Sequence, residues 1–481
     1  MVAEPKLVTL ATREGVALGV TRSYSFAMAF DPVKSVLAAG GKHGLSENEK
    51  RDPIGLAVVA LNKFAQSDLI DRLGLRRTSE QTVFRVTSAG FKTASAAGRV
   101  FARVGGSGGG KRVPSAQPTG LFDLTPSEDE QMLVDVVTDF ANEVVRPAAA
   151  ESNEACAAPD ELLKASLEIG LPILGVSEEL GGIATERSAV AGVLVHEALA
   201  NGDMGIAVAA LASGAVATAL SLYGTDEQQS TYLPAFAGDE VPVAALVLAE
   251  PTALYDPLTP ATKATRKGDG FVLNGTKSGV VRGADAELLL IGAELDGKPQ
   301  LFLVESSAPG IVVISDPSMG IRAAGITRLE LTDVAVENVA LFGDATTYLE
   351  VVQNSRLAWC ALSLGTAQAV LDYVTPYVKE RYAFGEPIAY RQSVAFKVAD
   401  IAIELQGMRL VTYKAAGRVA QGKDASREIA LARRLCAERG MAIGNDGVQL
   451  LGGHGFVKEH PVERWYRDLR AIGLMEGAVL V

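Results

Sequence analysis

The order of patterns along the chain predicts an α+β multidomain protein. An N-terminal α-helical domain is followed by a middle β-barrel-like domain and a C-terminal antiparallel helical bundle, with a helical appendage in front. Three observations predict this. Apolar residues recur at helical spacing to about residue 240. Short β-rich runs bounded by turn signals follow to about 345, and long Ala/Leu/Val-rich helical stretches occupy the rest.

Composition sets the outer limits. The 481 residues are 48% apolar and 21% charged, a globular balance with material for roughly two to four domains. No uninterrupted apolar run reaches the ~18 residues of a membrane-spanning helix. The N-terminus has no apolar signal core, and Glu4 and Glu14 argue against an acid-poor transit peptide. Cys156, Cys360 and Cys436 are odd in number and far apart, which predicts a reducing, cytoplasmic setting with no disulfide framework. His43, His196, His454 and His460 show no ligand spacing with those cysteines, and no metal site is predicted.

Net charge is −12 but uneven: residues 1–113 hold 17 Lys+Arg against 9 Asp+Glu, on a strongly acidic remainder. Residues 1–104 therefore read as a separable, basic helical appendage. Its charge serves either as a solvated face docked on the acidic body or as a patch for a membrane surface or partner protein. An acidic chain without a recognition motif argues against nucleic acid.

The stretch "VGGSGGGKRVPSAQPTG" at 104–120 has the composition of a flexible tether, and residues 105–120 are taken as the linker. Gly105, Gly110 and Lys111 have P-loop spacing. Arg112 replaces the metal-binding hydroxyl, however, and Pro114 blocks a following helix. In the α domain, 121–240, Thr125, Pro126 and Glu128 form a helix start with a capping box. Met132, Val134, Val136, Val137 and Phe140 then supply a roughly helical apolar stripe. Breaks fall near "EELGG" and "YGTDEQ". In the β domain, 241–345, the runs "VPVAALVL", "FVLNG", "AELLLIGAEL", "QLFLVE", "GIVVIS" and "TRLELTDVAVE" read as strands. Asp269-Gly270 and Asn274-Gly275 read as tight turns. Residues 346–481 form the bundle.

Several motifs in this order resemble the acyl-CoA dehydrogenase family over about 121–481. They are "VSEELGG" (176–182), "YGTDEQQSTYLPAFAGDE" (223–240), "GFVLNGTK" (270–277), "GIRAAGITRLELTDVAVE" (320–337), "ERYAFGEPIAYRQSVAFKVADIA" (380–402), "VQLLGGHGF" (448–456) and "PVERWYRDLRAIGLMEG" (461–477). The resemblance implies an FAD-dependent enzyme that removes an α-proton from an acyl-CoA thioester while hydride leaves the β-carbon, as in fatty-acid β-oxidation. It also implies delivery of electrons to an electron-transfer flavoprotein, and assembly as a homodimer, homotetramer or hetero-oligomer.

By resemblance Glu476 is the base. A carboxylate among apolar neighbours gains basicity through a raised pKa. Arg381 would meet the flavin pyrophosphate of a neighbouring subunit, as a planar guanidinium can do bidentately. Phe384 and Gln392 stand beside it, and Gln449, Gly452 and Gly453 would approach the adenosine half. Some members carry the base just before a helical arginine matching Arg356; here that place is Ser355.

The chain departs from the family where the flavin ring is gripped. Ala249, Tyr255, Gly279 and Val281 stand for Thr, Ser, Trp and Thr, and Ala478 replaces the Thr after Glu-Gly. Family bundles also continue for one more helix beyond this point. Several hydrogen bonds at ~0.5–1.5 kcal/mol each and an aromatic lid are lost, which predicts weaker flavin binding. The alternative expectation is a flavin-poor, non-catalytic subunit that completes a partner's site.

Overall fold

The computed structural model describes residues 128–182, 188–238 and 240–479. The appendage, the linker with its P-loop-like spacing and the Thr125 cap lie outside them, as does the side chain of Glu128.

The helical part comprises α1 (Glu128–Phe140), α2 (Arg146–Ala155), α3 (Asp160–Glu168), α4 (Ala189–Gly202), α5 (Met204–Tyr223) and α6 (Asp226–Phe236). A π-helical turn, Ala141–Val145, joins α1 to α2. On α1 only part of the expected stripe faces inward. Val137 and Phe140 are buried, whereas Met132 is 65% and Val136 45% exposed. The helical period puts Leu133, Val137 and Phe140 on one face, and Met132 and Val136 fall off it. The break at "YGTDEQ" is a helix start: Thr225 and Gln228 form a reciprocal capping box on α6.

Helix α5 is apolar on nearly every side because most of it is buried. This helix and the long bundle helix Ala345–Glu380 are long and apolar enough to cross a membrane by composition, which the run-by-run reading of the sequence missed. Both are interior helices here, with 72% of their most apolar windows buried.

Eight strands form one mixed sheet: β1 (Ala244–Val247), β2 (Lys263–Lys267), β3 (Gly270–Val280), β4 (Leu288–Leu295), β5 (Lys298–Glu305), β6 (Ile311–Ser315), β7 (Thr327–Glu337) and β8 (Leu341–Phe342). The order is β6-β7-β3-β2-β4-β5-β8, with β1 parallel to β4. One face encloses Phe271, Leu273, Ile291, Phe302 and Leu329. The opposite faces of β1, β4 and β5 pack on α5 and on Tyr348, Val351 and Val352. That explains why β4 is apolar at nearly every position. Asn274-Gly275 is not a turn. It lies inside β3, where the pairing with β7 shifts register. A second shift falls between Lys277 and Val280.

The bundle contains α7 (Ala345–Glu380), the hairpin β9–β10 (Tyr382–Ala383 and Glu386–Pro387), α8 (Gln392–Ala420), α9 (Ser426–Leu450) and α10 (Val462–Leu469). Asp344 caps α7 by accepting from the amides of Thr346 and Thr347, each at 2.9 Å. Two carboxylates dock α10. Asp203, between α4 and α5, meets Arg464 at 3.0 Å, and Asp468 accepts from the Ile321 amide at 2.6 Å. The chain leaving α10 is thereby aimed at the junction of sheet and bundle.

Candidate active site

After α10 a tight turn, Arg470–Gly473, leads into Met475-Glu476-Gly477. Glu476 has φ +53°, in the left-handed region that a side chain rarely adopts. Its neighbours over-determine that conformation. Arg356, on α7, donates from Nε and Nη2 to the Glu476 carbonyl at 3.1 and 2.8 Å. Arg433, on α9, donates to the carbonyls of Met475 and Gly477. Ala478 donates to the Tyr255 carbonyl at 3.0 Å. Gly477 has φ +104°, and a Cβ there would stand 2.6 Å from Pro257 Cδ, so no other residue fits.

The Glu476 carboxylate is buried. Oε1 accepts from Ser355 Oγ at 2.9 Å, and Oε2 has no hydrogen-bond partner. Trp359 lies beside the carboxylate without reaching hydrogen-bond geometry. Burial raises its pKa. The Ser355 hydrogen bond and the charges of Arg433 and Arg356 oppose this but do not cancel it. Arg433 is itself so buried that its pKa falls to about 10, helped by repulsion from Arg356. The result is a desolvated carboxylate with one free oxygen, held on a strained and fully anchored turn.

Ser355 also lines an apolar cavity of about 900 Å³ between α4, α5 and α7. Leu133, Leu171, Val193, Leu211 and Leu222 supply much of its wall. The place where some family members carry their base therefore holds a hydroxyl that donates to Glu476.

The departures at the flavin-ring positions border this turn. A Cβ on Gly279 would stand 3.5 Å from Met475 Sδ and 3.8 Å from Ala249 Cβ. Gly279 has φ +62° at the second register shift of β3, so the strand itself is shaped for glycine. Tyr255 does not project outward as a bulky ring. It is 8% exposed, and its hydroxyl donates to the Leu248 carbonyl at 2.5 Å. Beneath it Lys277 and Glu250 form a buried ion pair at 2.9 Å, and Glu250 also accepts from the amides of Ala261 and Thr262. Burial lowers the Lys277 pKa to about 8. Burial works against ionisation at Glu250 too, but Lys277 and the donated hydrogen bonds hold its pKa below the usual value.

The other candidate residues stand far from this turn. Arg381 closes α7, and Phe384 tips the β9–β10 hairpin at 94% exposure. Gln392 opens α8, Gln449 ends α9, and Gly452 and Gly453 follow. Gln392, Gln449 and both glycines are exposed. The Arg381 guanidinium has no hydrogen-bond or ion-pair partner among the described residues. A Cβ on Gly453 would meet nothing within 4 Å. Tyr377 bridges the two groups, its hydroxyl 3.5 Å from the Leu451 carbonyl. Ser355 and the end of α7 are separated by about 38 Å of helix at ~1.5 Å per residue. Within one chain the Glu476 end and the Arg381 end therefore do not share one bound dinucleotide.

Three consecutive stretches match family models. Residues 127–240 match the acyl-CoA dehydrogenase N-terminal domain, 245–334 the middle domain and 346–479 the C-terminal domain. A probable acyl-CoA dehydrogenase of Bacillus subtilis, YngJ, is 32% identical over 367 residues, which span 74% of this chain and 96% of that protein. The chain belongs to the acyl-CoA dehydrogenase family. Members are FAD-dependent oxidoreductases for which acyl-CoA substrates and oligomeric assembly are typical. Among solved structures, butyryl-CoA dehydrogenase from Megasphaera elsdenii superposes with a TM-score of 0.69 at 26% identity. The match covers 74% of this chain and 96% of that one. A structure described as the electron transferring flavoprotein of Acidaminococcus fermentans matches over the same shares, with a TM-score of 0.69 at 28% identity.

The residues present fit FAD. Arg381 offers an unpaired guanidinium beside an open glycine surface, and Glu476 Oε2 is an orphaned buried acceptor. By the resemblance, Gly279 and Ala249 would border the ring, and they present only backbone and a methyl group there. Sequence reasoning missed Arg433 and the Lys277–Glu250 pair. Neither leaves a spacing signal, because their partners lie in other elements.

Proposed function

We propose that this chain dehydrogenates an acyl-CoA thioester at the α and β carbons, with Glu476 as the base that takes the α-proton. One observation carries the reading: a desolvated carboxylate with a free oxygen accepts a hydrogen bond from Ser355, which itself lines a mostly apolar cavity of about 900 Å³. The cavity would take the acyl group, and Ser355 would hold Oε1 so that Oε2 faces the substrate. Burial makes Glu476 a stronger base than an exposed carboxylate. The positive charge of Arg356 and Arg433 keeps it ionised enough to act.

When bound, FAD supplies the acceptor for the hydride that leaves the β-carbon. Ala249, Gly279 and Val281 would border its ring through backbone and shape. Arg381, with Phe384, Gln392, Gln449, Gly452 and Gly453, would hold the flavin of a neighbouring copy, since these groups point outward and away from Glu476. An electron-transfer flavoprotein is the proposed electron acceptor. A cytoplasmic setting agrees with Cys360 and Cys436, which are buried side by side as free thiols.

The test is anaerobic bleaching of the flavin by acyl-CoA thioesters. Wild type should bleach. Glu476→Gln keeps size and polarity but cannot accept the proton, so it should bleach ~10²–10⁴-fold more slowly with flavin still bound. Equal bleaching by the variant overturns the assignment of the base. Wild-type protein that stays colourless in excess FAD favours the non-catalytic subunit instead.

A further inference from the structure

The acyl cavity is not uniformly apolar. His196, on α4, lines it together with Ser355. Its Nδ1 lies 2.7 Å from the carbonyl of Gly192, one turn earlier. A carbonyl only accepts, so Nδ1 carries the proton. Burial lowers the pKa of His196 and keeps the ring neutral. Nε2 is then a bare acceptor, and it has no hydrogen-bond partner among the described residues. His196 is half-buried, so Nε2 stays open to the cavity, where a donor on whatever fills the cavity can reach it. Gly192 leaves the space beside it open: a Cβ there would meet nothing within 4 Å.

The position of His196 along the cavity follows from helix pairing. Thr366 donates to the Ala200 carbonyl, and Asn201 donates to the Gly365 carbonyl. Val193 shares a core cluster with Leu357 and Ala361. Helices α4 and α7 therefore run side by side in the same direction. His196 lies level with about residue 361, roughly 9 Å along α7 from Ser355. An acyl chain whose reacting carbons sit at Ser355 and Glu476 reaches His196 with its distal half.

We propose that the acyl group taken by this cavity carries a hydrogen-bond donor, a hydroxyl, in its distal half, and that His196 Nε2 receives it. This rests on the reading of the cavity as the acyl site. His196 is a specificity residue and takes no part in the proton or hydride step.

The experiment compares octanoyl-, decanoyl- and dodecanoyl-CoA with the same chains bearing a terminal hydroxyl. Unreactive thioether analogues measure binding to the holoprotein by calorimetry, and the thioesters measure kcat/KM. Wild type should favour the hydroxylated member by about three- to tenfold at the best-fitting length, the worth of one neutral hydrogen bond. His196→Leu should reverse the preference, and His196→Gln, which keeps an acceptor, should restore part of it. A preference for the plain chain at every length in wild type, or one that His196→Leu leaves unchanged, overturns the proposal. Hydroxylated analogues that bind through His196 without turnover would leave this inference standing and remove the dehydrogenase reading. Bleaching with no hydroxyl preference does the reverse. Failure of both series to bind removes both.

Discussion

Glu476 shows how one residue type takes its chemistry from its surroundings. A glutamate on an open surface is an ordinary acidic residue; on this turn it is a desolvated carboxylate. Burial is the largest influence on its pKa, and the Ser355 hydrogen bond is the largest opposing one. With Glu476 as the proposed base, kcat/KM should fall as pH drops through the raised pKa. Ser355→Ala removes a donor that favours the charged form, so the pKa rises further. The acid limb of the kcat/KM profile should then move to higher pH by about one to two units, since a hydrogen bond to a charged group is worth ~1.5–3 kcal/mol. An unmoved limb would show that Ser355 does not act on the ionised base.

At the scale of elements, β3 and the loop after β1 support the site from beneath. Lys277, fully buried on β3, holds Glu250, and Glu250 holds the amides of Ala261 and Thr262 at the loop's far end. Between them lie Tyr255 and Pro257, which touch the Gly477-Ala478 backbone. Lys277→Met leaves Glu250 buried without its counter-charge. That should cost about 3 kcal/mol, the low end for a broken buried pair, because two amides still serve the carboxylate. Denaturant midpoints check it, and Lys277→Met with Glu250→Gln should recover part of the loss. A single-variant cost below ~1 kcal/mol would mean that the pair contributes little.

At the scale of the whole molecule, the two ends of α7 stand in different surroundings. Ser355 and Arg356 meet Glu476, while the far end leads to Arg381 and the exposed ring of Phe384, 94% accessible. Arg381→Ala should lower FAD affinity about tenfold or more through loss of charge-assisted hydrogen bonds, with the particle mass by light scattering unchanged. Unchanged affinity, or a wild-type monomer at micromolar concentration, would remove the role across subunits. The fold was legible in the sequence because helical and strand periods are local. Strand β4 and helix α7 follow from their own residues, whereas "YGTDEQ" reads as a break and is the capped start of α6. Local pattern misled where burial decides: Met132 and Val136 fit a helix but face out, and Asn274-Gly275 fits a turn but sits in a bulged strand. For the site, the motif ending in Glu476-Gly477 marked the carboxylate, and Ser355 was noticed as the place where a base is lacking. Only the tertiary structure set Ser355 against Glu476, turned Tyr255 inward, and drew Arg433 and Lys277 from other elements. The physical reason is range. Backbone periodicity acts over a few neighbouring residues, whereas desolvation and hydrogen bonding act between groups that the packed chain alone brings together.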